Sequence, residues 1–253
     1  MRTLAVLLLV ARAASADPHD LVARPLVLAP GQLDAELVVE TNLAPSGGFA
    51  RPLSFAPDLW VGVTPRLTLG LVHSDPSLDR IEPGASLCVR RDGFLCDGFY
   101  RGGGVEARYL AYDAAAWSIA PRARFLVRDL DPVKPALTLG GELRWHHGRF
   151  AISGAPYLQL GLGNTDRGNR AELWLPVVFA VQPTCRWVVE LHSGWNSDLA
   201  VANDGWHIPI ELAVRAAATR HFELGAAAGF TSLLGPQNNP KQRVAFLTIG
   251  WRS

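Results

Sequence analysis

Ionisable side chains recur at every second position along much of this chain, so the chemistry open to them depends on which ones share a face. One set comprises Glu106, Arg108, Arg122, Arg124, Arg128, Glu142, Arg144, Arg170, Glu172, Glu190, His192, Glu211 and Arg215. Mixed charges on one face can line a water-filled passage whose transverse fields orient zwitterionic or anionic solutes. They can also lock into an Arg–Glu network that fills and stiffens an interior.

Covalent chemistry has fewer candidates. His192-Ser193 pairs a base with a nucleophile, but adjacent residues of an extended strand point to opposite faces and cannot share a proton. His73, Asp75 and Asp79 would lie near one rim, where loop carboxylates are common. His146-His147 falls in a turn, where only one imidazole could face inward, so the pair is a poor metal site. Gly102-Gly103-Gly104 lacks the lysine and hydroxyl of a phosphate-binding loop. Cys185 has no histidine near it in sequence and reads as an inert turn residue. The expectation is a chain with no catalytic residue, no cofactor and no metal.

The elements that must position these charges are strands. From Trp117 to Arg128, odd positions carry Trp117, Ile119, Pro121, Ala123, Phe125 and Val127, while even positions carry three arginines. Successive strand residues face opposite ways, so one face is apolar and the other charged. Period-two reading predicts twelve strands, at about 32–43, 53–64, 66–75, 103–113, 117–129, 136–146, 149–163, 169–182, 185–197, 206–217, 221–233 and 242–252. Ten is the runner-up count, because prolines flank the first pair. Pro176 and Pro209 each remove a ladder donor and predict a local bulge.

Connections after even-numbered strands are tight, as at Thr64-Pro65-Arg66 and Ala218-Thr219-Arg220, whereas those after odd-numbered strands are longer or rich in turn formers. Short turns at one end and long loops at the other, with an even strand count, are the pattern of outer-membrane barrels. The apolar set includes Leu67, Leu69, Leu71, Leu137, Leu139, Leu173, Leu175, Val189, Leu191, Ile208, Ile210, Leu247 and Ile249. A tilted run of ten or eleven residues rises about 25 Å, the height of such a barrel's apolar band. Trp117, Trp145, Trp187, Trp195, Trp206 and Trp251 fit an aromatic girdle, because an indole has an apolar body and one N–H to hydrate.

The N-terminus reads as a cleavable leader. Arg2 supplies a positive start, Leu4 to Ala11 a short apolar core, and Ala14-Ser15-Ala16 a small-residue cleavage site. The division expected is a signal peptide at 1–16, a periplasmic segment at 17–31 and a barrel at 32–253. After cleavage, 22 basic residues stand against 23 acidic ones, which gives no electrostatic reason to expect nucleic acid. No stretch approaches the ~18 apolar residues of a spanning helix. Cys88 and Cys96 are separated by seven residues in one polar loop, where export would favour a disulfide.

PDLWVGVTPRLTLGLVHSD resembles the hairpins of Gram-negative outer-membrane β-barrel proteins of the porin-like superfamily. LAVRAAATRHFELGAAAGFTSLL and RVAFLTIGWRS resemble that superfamily's penultimate hairpin and closing strand, with Trp251, Ile249, Leu247 and Ala245 matching the alternation before a terminal aromatic. The resemblance implies an all-β, antiparallel, up-and-down transmembrane barrel in the outer membrane, with lipid and the barrel-assembly machinery as partners. The expected function is a narrow passive channel for small hydrophilic solutes, Glu106, Arg108, Arg122, Arg124, Arg128, Glu142, Arg144, Glu172, Glu190, His192, Glu211 and Arg215 lining the pore. The alternative is a closed structural or adhesion barrel. Third comes an outer-membrane lipid hydrolase, since His192 and Ser193 are the residue types used by outer-membrane phospholipases and lipid A deacylases. For the disulfide, intact protein should take no alkyl adduct at Cys88 or Cys96 before reduction and two after it, read by mass spectrometry.

Overall fold

Each alternating segment pairs with its neighbours in the chain, and the last returns to the first. The computed structural model describes residues 20–43, 53–74, 87–89, 102–201, 203–236 and 243–253. The strands are β1 (Leu33–Asn42), β2 (Leu53–Thr64), β3 (Leu67–Val72), β4 (Leu87–Val89), β5 (Gly103–Tyr109), β6 (Tyr112–Asp113), β7 (Trp117–Leu130), β8 (Val133–His147), β9 (Phe150–Gly154), β10 (Tyr157–Gly161), β11 (Glu172–Thr184), β12 (Trp187–Asp198), β13 (Trp206–Ala217), β14 (Phe222–Leu234) and β15 (Arg243–Arg252). β5 and β6 form one stave of the wall, β9 and β10 another, and β4 is a short addition to β2. Twelve staves remain, every pair antiparallel. The ring closes where β1 meets β15, from Asp34 opposite Arg252 to Asn42 opposite Val244.

The expected fold class is the observed one, a closed twelve-stranded antiparallel up-and-down barrel. The expected 149–163 strand is two pieces separated by Ala155-Pro156. The cause lies across the ladder. β11 pairs with β9 as far as Val177 and with β10 from Trp174, so the gap sits opposite Leu175-Pro176. Pro176 lacks its N–H and Pro156 lacks its own, so neither side can complete the ladder there. Within β11 and β12 the register runs unbroken through Pro176, and the irregularity appears in the neighbouring stave instead of in β11. At Pro209 the expected bulge is present, between Ile208 and Ile210 of β13.

Parity sorts the two faces. Leu71, Phe125, Leu139, Phe179, Leu191 and Leu247 are exposed on the outside. Their sequence neighbours Val72, Leu126 and Thr138 are buried within. Trp117 and Trp145 face each other across the β7–β8 ladder beside the short turns, and Trp187 and Trp251 lie at that same end. Trp195 and Trp206 lie on outward positions toward the long-loop end. The 1–16 leader, Asp75, Asp79 and the Cys88–Cys96 pairing fall outside the described residues or side chains.

Residues 20–32 precede β1 and run across the short-turn end of the barrel as a strap. The backbone N–H groups of Leu21 and Val22 donate to Gln182 Oε1 at 2.9 and 3.2 Å. Leu28 N donates to Thr68 Oγ1 at 2.8 Å, Gly31 N donates to the Gly62 carbonyl at 2.7 Å, and Gly62 N donates to the Gln32 carbonyl at 2.9 Å. Leu26 and Val27 pack on Ala120 and Leu110, and Leu21 and Val22 on Ala151 and Val188. These anchors stand on staves spread around the ring, so the strap spans the lumen. At Gly62 the strap's Ala29 carbonyl passes so close that any β-carbon would collide with it.

The outer face generates a test. Leu247 is 58% exposed near the middle of β15. Leu247→Arg should destabilise the bilayer-embedded barrel by about 2–4 kcal/mol in urea titrations, whereas Leu247→Phe should leave it unchanged.

Candidate functional site

The lumen is built by register. Inward positions of adjacent staves lie side by side, giving the row Trp60, Gly70, Glu106, Arg124, Thr138, Gln159, Glu172 and Asp198. Two residues along, Arg108 stands directly opposite Arg122. Like charges placed so are destabilising unless something intervenes. Glu106 intervenes.

Glu106 is 2% exposed and gathers its neighbours on both carboxylate oxygens. Oε1 accepts from Trp60 Nε1 at 3.2 Å and from Arg108 Nε. Oε2 accepts from Arg124 Nε at 2.8 Å and Nη2 at 2.5 Å, and Arg122 Nε stands 4.0 Å away. Arg124 also donates to the Ser74 carbonyl at 2.5 Å, tying β7 to the end of β3. The Arg108 guanidinium lies 4.9 Å over the Trp60 ring and that of Arg122 5.9 Å over Tyr157, two cation–π placements that hold the arginines against the wall. Gly70 makes room for Trp60, since a β-carbon there would strike the indole. Three guanidiniums against one carboxylate leave this sector positive.

A second cluster occupies the opposite wall. His192 sits between two acids, Nε2 at 3.0 Å from Glu190 and Nδ1 at 3.2 Å from Glu211, and Arg215 holds the other oxygen of Glu190. A third lies toward the long loops, with Arg128 3.5 Å from Glu172 and Trp174 Nε1 donating to Glu172 at 3.2 Å. Tyr157 and Trp174 stack at 5.8 Å beside it. Ion pairs between Arg24 and Glu223 and between Arg252 and Asp34 join the strap and the closing strand to the short-turn end.

All twelve residues expected to line a pore fall on inward registers. Glu106, Arg108, Arg122 and Arg124 are brought together, as are Glu190, His192, Glu211 and Arg215. Arg128 meets Glu172, and Glu142 and Arg144, within electrostatic reach of each other and, for Glu142, of Arg108 and Arg122, make no hydrogen bond or close ion pair among the described residues. Ser193 points away from His192, its hydroxyl donating to the Pro209 carbonyl at 2.9 Å. The sequence reading had not placed Trp60, Tyr157 or Trp174 inside, nor Asp34, Glu36 and Asp58 on the first two strands. Their signal is parity carried across a hairpin: Trp60 lies opposite Asp34, and Asp58 opposite Glu36. Arg24 had no signal, because a segment before the first strand has no register. Between strap and wall lies a cavity of about 380 Å³, faced by Arg24, Asp58, Arg108, Glu142, Arg144 and Glu190 among others.

The clusters generate a second test. Removing one partner of a buried ion pair strands the others, at a cost of about 3–5 kcal/mol. Glu106→Gln should therefore cost that much in urea unfolding, and Glu106→Gln combined with Arg122→Gln less than Glu106→Gln alone.

No family model and no curated protein matches this chain. Solved structures do. The KdgM porin, in a complex with disordered oligogalacturonate, superposes with a TM-score of 0.58 at 7% identity, over 86% of this chain and 98% of that one. The NanC porin gives 0.57 at 10% identity, over 87% and 98%. The COG4313 outer membrane channel from Pseudomonas putida F1 gives 0.57 at 14% identity, over 94% and 100%. At these identities the likeness is one of fold: a closed antiparallel β-barrel like that of these two porins and this channel.

Proposed function

We propose that the protein is a narrow passive channel for small hydrophilic solutes, seated in the outer membrane and having no catalytic role. The observation that carries this reading is the inversion of the barrel, with charge collected inside and apolar side chains exposed outside. A lipid bilayer accepts that outer face, and an interior so charged favours water and polar solutes. The similar folds are those of channels, which supports the same reading. Arg108, Arg122 and Arg124 around the single Glu106 make the local field positive, so anions and the anionic ends of solutes are favoured at that level. The expected partners are membrane lipid, the assembly machinery and the solute itself.

The cross-braced lumen and the strap favour a second reading, a closed scaffold. Conduction separates the two. Purified protein in a planar bilayer should give small, discrete conductance steps, and deletion of residues 20–31 should enlarge them several-fold. Arg122→Glu should shift ion preference toward cations, while Phe125→Leu on the outer face should not. A well-inserted, heat-modifiable protein without conductance in either form, and without effect on small-solute uptake, would establish the scaffold.

A further inference from the structure

The cavity beneath the strap has an uneven assignment of charge. Arg24, Arg108, Arg124, Arg215 and Arg252 face it, and each holds a carboxylate: Glu223 for Arg24, Glu106 for Arg108 and Arg124, Glu190 for Arg215, Asp34 for Arg252. Asp58 is likewise engaged, accepting from His73 N at 2.6 Å and from Ser74. Arg144 and Glu142 differ. Both face the cavity, and among the described residues neither makes a hydrogen bond or a close ion pair. The Arg144 Nε is buried with no acceptor.

Their placement is complementary. They lie two residues apart on one face of β8, so their backbones are separated by about 7 Å along the strand. Register sets Arg144 between Ser118 of β7 and Ser153 of β9, and Glu142 beside Ala120. Beyond Arg144 the wall continues through Ser153 and Val178, while Leu21 and Val22 of the strap pack on Ala151 and Ala180, and Glu190 stands beside Ala180. At about 380 Å³ the space is within the range of small-molecule sites, roughly 300–1,000 Å³. A guanidinium offers a fork of donors to a carboxylate, and a carboxylate accepts from an ammonium. A lone anion would gain Arg144 but face Glu142, and a lone cation the reverse.

We propose that this cavity binds a zwitterionic α-amino acid with a short neutral side chain, its carboxylate on Arg144, its ammonium on Glu142 and its side chain toward Val178. The proposal rests on the channel reading and names the solute class. It is tested on the full detergent-solubilised barrel by equilibrium dialysis with L-alanine, propionate and ethylamine, each carrying a different subset of the two charges. L-Alanine should bind saturably and at least about tenfold more tightly than either single-charge probe. Glu142→Gln should abolish the preference for L-alanine over propionate by removing the group that repels the anion. Arg144→Gln should abolish the preference over ethylamine. A structural role for either residue would not exchange these preferences so selectively, and heat-modifiable migration verifies that each variant is folded. Equal affinity for all three probes, absence of L-alanine binding by folded protein, or unchanged preferences in both variants would overturn the site. Conductance without L-alanine binding overturns the site alone, and L-alanine binding without conductance overturns the channel alone.

Discussion

A backbone amide surrounded by hydrocarbon has no water to bond, and each unsatisfied group costs several kcal/mol. A sheet can meet that condition only by having no edge. The rest of this protein follows from the pairing of β1 with β15, which removes the last two edges. Closure completes the ring of twelve staves, and the alternation of strands then assigns their described side chains to the outer face or the lumen. Charges that would be free on the surface of a soluble protein are collected in a narrow interior. They pair there as far as register allows, and the Glu106 cluster is one outcome: a single carboxylate bonded to an indole and two guanidiniums, with a third 4.0 Å away.

The same constraint explains where the wall tolerates irregularity. A missing N–H in one strand matters less if the facing strand has nothing to offer it. Pro176 and Pro156 lie at one gap, so two defects are combined into one. Pro209 is handled differently, by a register shift against β14. Proline in a barrel strand therefore has two outcomes here, set by whether the facing stave can break.

The barrel was legible in the sequence because parity is a long-range statement made of short-range evidence. Phe125 and Arg124 need no knowledge of the rest of the chain to be assigned opposite faces, and six consecutive residue pairs make the assignment firm. The turns added a second, independent signal, since Thr64-Pro65-Arg66 leaves no room for anything but a hairpin. Pairing partners were not legible in the same way. That Arg122 and Arg124 share Glu106 depends on the stagger between β5 and β7, which no periodicity within either strand encodes. The strap was silent for a related reason: Leu21, Val22, Leu26 and Val27 have no alternation, and their burial depends on a hollow that exists only after the ring is complete.

The closing pair joins Asp34 to Arg252, 218 residues apart in the chain. Pairs between staves consecutive in the chain, by contrast, lie at most 42 residues apart, as at Leu67 and Tyr109. In polymer terms the seam carries the largest loop entropy of the molecule, and topologies dominated by such distant contacts assemble slowly. Eleven of the twelve interfaces can form as the chain is laid down; the twelfth has to wait for the C-terminal strand. Until then the unfinished sheet presents two open borders able to recruit any strand that comes by. The interval before the seam zips is therefore when this polypeptide most needs protection from itself and from its neighbours.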